Sequence, residues 1–315
     1  MPASSPSAKV VIAHRGASGY LPEHTREAKM LAYGQGADFL EQDVVATRDR
    51  ALVVLHDIFL DDVSNVAECF PQRRRPDGRF YVVDFDLNEI ERLRLHERRR
   101  PGSVEPLYQD RFRDEAVSFR VVTLDEEIRL VRELNRQTGR EVGIYPEIKR
   151  PDWHREHGID LASLLLTVLA GHGYRDEKDP VFVQCFDAAE LKRCRRELGT
   201  CLKLVQLVER GSEGEAMLTR EGLSEIASYA EVVAPSFGQI GAPAEDGGLR
   251  REEWVAALAP LRLGLHTYTF RRERVPAGVR DLEALVRAYF SAVDGLFCDQ
   301  PDVAVAVRDR LAGEG

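Results

Sequence analysis

The feature that most constrains the fold is a sustained alternation of short apolar runs, rich in β-branched residues, with longer stretches of helical period. Eight of these runs are interpreted as strands, at Val10–Ala13, Phe39–Val45, Gly143–Ile148, Val181–Phe186, Lys203–Leu207, Val232–Pro235, Leu263–Tyr268 and Gly295–Cys298. Candidate helices lie at 25–33, 124–136, 160–170, 188–198, 222–229, 251–258, 281–291 and 302–311. Strands that are each followed sooner or later by a helix predict an α/β fold, a closed (β/α)8 barrel of the TIM type, better than an open sheet.

One further apolar run, Leu52–Leu55, does not fit this count. It follows the second strand after only a short polar turn, whereas a parallel crossover needs about a dozen residues. We therefore predict that it returns antiparallel, as a hairpin that carries His56 back towards Glu41 and Asp43. From 58 to 120 both periods fade, and we interpret this stretch as an inserted small cap subdomain above the C-terminal face, with a short helix at 87–95, within a single catalytic domain spanning 1–315.

Composition argues against several classes of protein. The 315 residues carry a formal net charge of -9, and an acidic chain is a poor binder of nucleic acid. Two arginine runs, at 73–75 and 98–100, lie in a stretch rich in Pro and Gly, and we interpret them as solvated loop residues without a functional role. The five cysteines show no CxxC spacing, which argues against a zinc site or a redox pair.

The chain contains no stretch of 18 uncharged apolar residues, and Met1–Lys9 lacks the apolar core of a signal peptide. We therefore expect no membrane span, and a cytoplasmic location for the chain as written. A chain from which an export leader had been removed would look the same, so a periplasmic location is the alternative.

Polar side chains follow the first three barrel strands and the hairpin, at the face where barrel enzymes carry their catalytic residues. They are three carboxylates, two histidines, an arginine and a lysine: Glu41, Asp43, Glu147, His14, His56, Arg15 and Lys149. Glu41 and Asp43 lie two apart on one strand, so their side chains share a face, and Glu147 on the next barrel strand can join them. Such a cluster needs a counter-charge, and hard cations such as Ca2+ or Mg2+ prefer carboxylate oxygens. The alternative for any single carboxylate is a cap or a salt bridge at a strand end.

The two histidines beside this cluster indicate general acid and base catalysis, because imidazole titrates near neutral pH. A lone histidine at a strand end is more often structural, but we expect His14 and His56 to lie close together at the C-terminal opening of the barrel. Arg15 and Lys149 would complement an anionic substrate, and their alternative is an ion pair with Asp57 or another nearby acid. The sequence contains no P-loop, dinucleotide fingerprint or GxSxG serine motif.

Taken together, these motifs resemble those of the glycerophosphodiester phosphodiesterases. The likeness rests on HRGASGYLPEHT at 14–25, EQDV at 41–44, LHD at 55–57 and PEIK at 146–149. It continues through VQCFD at 183–187, HTYTFR at 266–271 and GLFCD at 295–299, and it is greatest with the bacterial branch that has exported members. The chain departs from the family's pattern in two places. The usual hairpin turn contains a glycine, where this chain has RDR at 48–50, and the exported relatives begin with a leader that this sequence does not show.

The resemblance implies a divalent metal bound by Glu41, Asp43 and Glu147, with Ca2+ favoured and Mg2+ as the alternative. It also implies that His14 and His56 act as the acid and base. The implied reaction is hydrolysis of glycerophosphodiesters, such as glycerophosphocholine or glycerophosphoethanolamine, to sn-glycerol 3-phosphate and an alcohol. One imidazole would deprotonate the attacking hydroxyl, from the glycerol 2-position or from water, and the other would protonate the leaving alcohol, which predicts a bell-shaped dependence of rate on pH.

The same resemblance assigns Arg15 to the phosphate, Lys149 to an assisting role nearby, and Phe186 and Tyr268 to the glycerol part of the substrate. One alternative function is a phospholipase D or a phosphatidylinositol phospholipase C on the same barrel, which would need an apolar or basic rim facing a membrane. The polar insertion offers little of that kind. Another alternative is a binding protein that keeps the pocket without turnover, and the presence of all three acids and both histidines argues against it.

Overall fold

A computed structural model describes residues 9–114, 116–244 and 247–314 of the chain, and the fold is that of these residues. The strands are β1 Val10–Ala13, β2 Phe39–Ala46, β3 Leu52–Val54, β4 Gly143–Ile148, β5 Phe182–Cys185, β6 Lys203–Val208, β7 Val232–Pro235, β8 Gly241–Pro243, β9 Leu249–Arg251, β10 Gly264–Phe270 and β11 Gly295–Cys298. The α-helices are α1 Arg26–Gly34, α2 Val66–Cys69, α3 Leu87–Ile90, α4 Leu124–Thr138, α5 Pro151–Glu156, α6 Leu161–Gly171, α7 Ala188–Arg196, α8 Ser212–Met217, α9 Arg220–Ile226, α10 Leu258–Leu261, α11 Leu282–Phe290 and α12 Pro301–Glu314. Short 3-10 helices lie at Pro71–Arg73, Val82–Asp84, Phe237–Gln239, Glu253–Ala257 and Arg272–Arg274.

Within these residues, eight parallel strands close into a barrel. Their order is β1, β2, β4, β5, β6, β7, β10 and β11, and β11 pairs with β1 to complete the circuit. Alternate side chains face opposite sides of the sheet: Val11 and Ala13 pack in the large core with the helices, whereas Ile12 packs with Tyr145 and Phe297 inside the barrel. The predicted (β/α)8 barrel is confirmed.

Local signals explain where most helices begin and end. The hydroxyl of Thr123 accepts a hydrogen bond from the amide of Glu126, whose carboxylate accepts one from the amide of Thr123, so α4 begins in a capping box. It ends at Gly139, whose φ of 72° suits glycine. The helix predicted at 251–258 has other bounds: Arg251 ends β9, which pairs antiparallel with β8, a 3-10 helix follows at Glu253–Ala257, and α10 begins only at Leu258.

The strand β3 returns antiparallel to β2, with Val54 opposite Val44, as the length of the turn predicted. Arg50 in that turn adopts a φ of 66°, a left-handed conformation that strains a residue with a side chain by about 1 kcal/mol. After β3, the amide of Leu55 donates to the carbonyl oxygen of Asp43 at 2.9 Å, which continues the pairing. His56 therefore follows directly beside the end of β2.

Segment 58–120 builds a second hydrophobic core over the C-terminal ends of the strands. Val53 and Leu55 of the hairpin pack there against buried side chains that include Phe80, Phe85 and Ile90. The predicted insertion above the C-terminal face is confirmed, although its helix at 87–95 ends at Ile90. The reason is that the chain turns extended near Leu95, which forms bridges to Ser64 and Phe119.

No helix within the described ranges is long and apolar enough to cross a membrane. The expectation about export depends on residues 1–8, which lie outside the described residues. The compartment, cytoplasmic or periplasmic, therefore stays a prediction.

Lys29 of α1 is fully buried and joins that helix to both α4 and β2. Its Nζ lies 2.8 Å from Oε1 of Glu127 and donates to the carbonyl oxygen of Glu41. Because removal of one partner leaves a buried charge uncompensated, we expect Lys29→Met to lower the free energy of unfolding by about 3–5 kcal/mol in chemical denaturation. The control Arg26→Met removes an exposed pair with Glu126, at 3.8 Å, and should cost less than about 1 kcal/mol. Equal losses in the two variants would contradict this role of Lys29.

Candidate active site

Three buried carboxylates meet where β2 and β4 end. In the register of these strands Asp43 lies opposite Glu147, and Glu41 precedes Asp43 by two residues on the same face. Ligand oxygens of all three lie within 4.8 Å of one another. The structure thus places Glu41, Asp43 and Glu147 where one ion could contact all of them.

The electrostatics of these carboxylates fit a divalent cation. Burial, together with the neighbouring Asp43, raises the pKa of Glu41 well above its usual range, and burial raises the pKa of Glu147 to about 8. Burial also opposes ionisation of Asp43, but Lys149 and two imidazoles outweigh it and hold its pKa well below the usual range. Oδ1 of Asp43 is buried and accepts no hydrogen bond from the described residues. An ion with oxygen ligands would neutralise the crowded charge and coordinate that oxygen.

Arg15 and Lys149 lie against the carboxylates. Nε of Arg15 lies 3.4 Å from Oδ2 of Asp43, and the backbone amide of Arg15 donates to Oε2 of Glu41 at 2.8 Å. Nζ of Lys149 lies 2.9 Å from Oε1 of Glu147 and 3.7 Å from Oδ1 of Asp43. The alternative was an ion pair with Asp57 or another nearby acid. Both cations do pair with nearby acids, Arg15 also with Glu23 at 2.9 Å, but among the described residues neither forms an ion pair with Asp57.

The turn after β1 explains how Arg15 reaches this position. Its φ is 59° and that of Gly16 is 86°, and a Cβ on Gly16 would lie 2.8 Å from the carbonyl carbon of Ala28. His24 closes the turn: its amide donates to the carbonyl oxygen of Arg15, and its Nε2 lies 2.7 Å from Oδ2 of Asp43. Burial lowers the pKa of His24 to about 3, so the neutral ring donates from Nε2. Our sequence reasoning did not identify His24 as a site residue, although it lies in the motif at 14–25.

His14 and His56 each have a carboxylate at Nδ1. The distance from Nδ1 of His14 to Oδ1 of Asp299 is 2.6 Å, and that from Nδ1 of His56 to Oδ1 of Asp57 is 2.7 Å. A carboxylate in this place keeps the proton on Nδ1 of a neutral ring and leaves Nε2 available. Nε2 of His14 lies 3.9 Å from Oε2 of Glu41, and both histidines line one cavity of about 150 Å³ with the carboxylate cluster.

The two imidazoles are neutral at pH 7 in this structure. Burial lowers the pKa of His14 to about 4, with Arg15 lowering it further and Asp299 opposing. Burial, Arg15 and Lys149 lower the pKa of His56 to about 4 as well. A bound anion would bring negative charge beside the rings and would raise both pKa values.

Two arginines of the insertion reach the same aspartates. Nη1 of Arg98 lies 2.6 Å from Oδ2 of Asp57, and Nη2 of Arg111 lies 2.5 Å from Oδ2 of Asp299. The interpretation of 98–100 as a solvated run without a role was wrong for Arg98, whose side chain is only 13% exposed. The physical reason is that segment 58–120 folds back over the mouth and buries this side chain, which no local pattern of the sequence indicates.

Phe186 and Tyr268 also line the cavity of about 150 Å³ that contains the carboxylate cluster. Their ring centroids lie 5.9 Å apart at 84°, and Phe186 is 36% exposed. The hydroxyl of Tyr268 donates to the carbonyl oxygen of Val208 at 2.8 Å, so its polar atom is hydrogen-bonded within the protein. The predicted pair therefore forms an apolar surface next to the charged cluster.

Sequence comparison adds a family match to this geometry. A sequence model of the glycerophosphoryl diester phosphodiesterase family matches residues 14–303. The chain is 39% identical to the glycerophosphodiester phosphodiesterase of Haemophilus influenzae, over 95% of this chain and 89% of that protein. It is 36% identical to the glycerophosphodiester phosphodiesterase of Treponema pallidum, over 97% of this chain and 93% of that protein.

Solved structures share the fold. A putative glycerophosphoryl diester phosphodiesterase of Silicibacter pomeroyi superposes with a TM-score of 0.73 at 22% identity, covering 98% of this chain and 95% of the other. A phosphodiesterase of Oleispira antarctica, solved in complex with the product sn-glycerol-3-phosphate, gives a TM-score of 0.66 at 18% identity, covering 96% and 97%. These two similarities show the fold, whereas the match over residues 14–303 and the two relatives above show the family. The chain belongs to the glycerophosphoryl diester phosphodiesterase family.

Proposed function

We propose that this enzyme hydrolyses glycerophosphodiesters, such as glycerophosphocholine and glycerophosphoethanolamine, to sn-glycerol 3-phosphate and an alcohol. The observation that carries this proposal is that His14, His56, Arg15 and the three carboxylates line one cavity. The substrate class is supported by the names of the two curated relatives and by the product held in the Oleispira antarctica structure.

Glu41, Asp43 and Glu147 would hold a divalent metal, Ca2+ by preference and Mg2+ as the alternative. Their mutual repulsion in a buried place supports this assignment, as does Oδ1 of Asp43, which accepts no hydrogen bond from the described residues. When bound, such an ion supplies positive charge that neutralises the charge developing on the phosphate oxygens. Lys149 would assist by balancing the acids that the ion does not fully neutralise.

His14 and His56 would move the two protons of the reaction. Because Nδ1 of each ring faces an aspartate, Nε2 is the atom left to exchange a proton with substrate. One ring would accept the proton of the attacking hydroxyl, from the glycerol 2-position or from water, and the other would donate a proton to the leaving oxygen. Attack by the 2-hydroxyl would give a transient cyclic phosphate, which water would then open to sn-glycerol 3-phosphate. Arg15 would hold the phosphate between them with its planar fork.

Two adjoining cavities would take the two arms of the diester. The first, of about 150 Å³, contains the acids with Phe186 and Tyr268, and the second, of about 190 Å³, is lined in part by Leu107 and Tyr108 of the insertion. The two cavities share four lining residues, His14, Arg15, His56 and Arg271. A phosphate at this shared wall would place the glycerol arm against Phe186 and Tyr268 and the alcohol arm beneath segment 58–120, the proposed cap of a single catalytic domain.

Product analysis on glycerophosphocholine tests this function. With Ca2+ or Mg2+ present, we expect equal amounts of sn-glycerol 3-phosphate and choline, measured by enzyme-coupled assays. Phosphatidylcholine vesicles serve as the control for an enzyme that acts on intact lipid, and we expect no release from them. Formation of phosphocholine and glycerol, or tight binding without turnover, would contradict the proposal.

A further inference from the structure

The two histidine–aspartate pairs are each tied to the insertion by one arginine. Arg98 and Arg111 lie at the two ends of a segment that crosses the mouth of the site, and between them Leu107 and Tyr108 line the second cavity. Each arginine contacts a different aspartate. The insertion is thus attached to the site at two points, one for each imidazole.

Arg98 makes the attachment on the side of His56. Its Nη1 donates to Oδ2 of Asp57 at 2.6 Å, while its Nε and Nη2 donate to the carboxylate of Glu23 at 3.0 and 2.6 Å. Glu23 also accepts a hydrogen bond from Nη1 of Arg15 at 2.9 Å. The guanidinium of Arg98 therefore fixes Asp57, which holds His56. Through Glu23 it also fixes Arg15, which is proposed to hold the phosphate.

Arg111 makes the attachment on the side of His14. Its Nη2 donates to Oδ2 of Asp299 at 2.5 Å, and Nε and Nη2 donate to Glu273 at 2.7 and 3.2 Å. Its Nη1 donates to the carbonyl oxygen of Ser18 at 3.1 Å. The side chains of Arg111 and Asp299 are 4% and 1% exposed, so water does not screen this contact.

We propose that Arg98 and Arg111 are positioning residues, through which the insertion orients both imidazoles for proton transfer by way of the aspartates at Nδ1. The proposal rests on the proposed function, because it assumes that His14 and His56 transfer protons. An aspartate fixes the tautomer and the plane of its imidazole. The guanidinium, whose fork is held by Glu23 or Glu273, donates one hydrogen bond to the second oxygen of that aspartate and so fixes its rotation. Without the arginine the carboxylate can rotate, and a displacement of about 1 Å at a catalytic group can cost about 100-fold in rate.

Arg98→Met and Arg111→Met test the proposal, since methionine removes the charge but keeps an unbranched side chain. In the hydrolysis of glycerophosphocholine we expect each to lower kcat by about 30–100-fold and to change KM by less than about threefold. Arg75→Met is the matched control, because Arg75 binds Asp84 through two hydrogen bonds of 2.7 Å elsewhere in the insertion, and kcat should stay within about twofold. Unchanged kcat in both the Arg98 and Arg111 variants would overturn the proposal.

A double-mutant cycle separates action through the aspartate from direct contact with substrate. If Arg98 acts through Asp57, the variant that combines Arg98→Met with Asp57→Asn loses no more kcat than Asp57→Asn alone. The same relation should hold for Arg111 and Asp299. Losses that multiply in both cycles would show that the arginines act by another route, such as direct contact with substrate or, for Arg98, Glu23 and Arg15, and would refute positioning through the aspartates.

Arg98→Lys and Arg111→Lys keep the charge but lose the fork, and they serve if the methionine variants do not fold. We expect partial rescue, with kcat about tenfold below the parent. Lysine variants with the parental kcat would contradict the need for the fork. A parent enzyme that releases no sn-glycerol 3-phosphate would contradict the proposed function itself, whereas an active parent with insensitive arginine variants would contradict the positioning alone.

Discussion

His14→Ala and His56→Ala are each expected to lower kcat for glycerophosphocholine hydrolysis by about 10²–10⁴-fold while the protein stays folded. Each ring has its Nδ1 next to an aspartate and lines the cavity that contains the acids, so truncation removes the nitrogen that we propose transfers the proton. The rings lie at the mouth and not in the apolar core, so we expect little change in the thermal unfolding midpoint. Steady-state kinetics and circular dichroism measure the two effects separately.

His172→Ala is the matched control for these variants. His172 follows α6 on the outer layer of the barrel, pairs with Asp125 at 2.8 Å and lines neither cavity of the site. We expect its kcat to stay within about twofold of the parent. Parental rates in the His14 and His56 variants would remove both residues from the mechanism.

Removal of divalent metal is expected to abolish turnover and to lower thermal stability. The carboxylates of Glu41, Asp43 and Glu147 repel one another in a buried place, so a bound ion stabilises the folded state as well as the reaction. After treatment with EDTA, stepwise addition of Ca2+, Mg2+ and Mn2+ should restore activity and raise the melting temperature together. Full activity in the stripped enzyme would contradict metal dependence.

Glu147→Gln separates the loss of the ion from other effects of a chelator. If Glu147 is a ligand, removal of its charge should lower kcat by at least about 10³-fold, because a bound ion would contribute several kcal/mol to the stabilisation of transition-state charge. The variant should also lose most of the rise in melting temperature on addition of Ca2+. The control Glu133→Gln changes an exposed carboxylate of α4, 55% exposed, and should keep both properties. If Glu147→Gln kept the calcium response, its assignment as a ligand would be wrong.

The barrel could be predicted from sequence because each strand is a short apolar run whose pattern is local. The carboxylate cluster could also be predicted, since the spacing of Glu41 and Asp43 and the position of Glu147 on the next barrel strand decide which face they share. The helix predicted at 251–258 shows the limit of this reasoning, because β9 extends to Arg251 and the helical turns that follow are first 3-10 and become α10 only from Leu258 to Leu261.

The aspartates and arginines that hold the two histidines could not be predicted in the same way. Asp299 lies 285 residues from His14, and Arg111 lies 188 residues from Asp299, so only closure of the barrel and the fold of the insertion bring them together. The sequence does contain GLFCD at 295–299, but nothing in that pattern says which ring its aspartate meets. Long-range ion pairs of this kind leave no periodic signal.

In the hairpin of β2 and β3, Glu41 and Asp43 lie on β2, and His56 follows shortly after the end of β3. Side chains alternate along such a hairpin, so a slip of one residue would turn Glu41 and Asp43 away from the cavity and displace the imidazole in the same movement. Molecules with the shifted strand register would therefore have no catalytic activity, and not merely a lower rate. The specific activity of a preparation then reflects the fraction of molecules in which β2 and β3 pair in the native register.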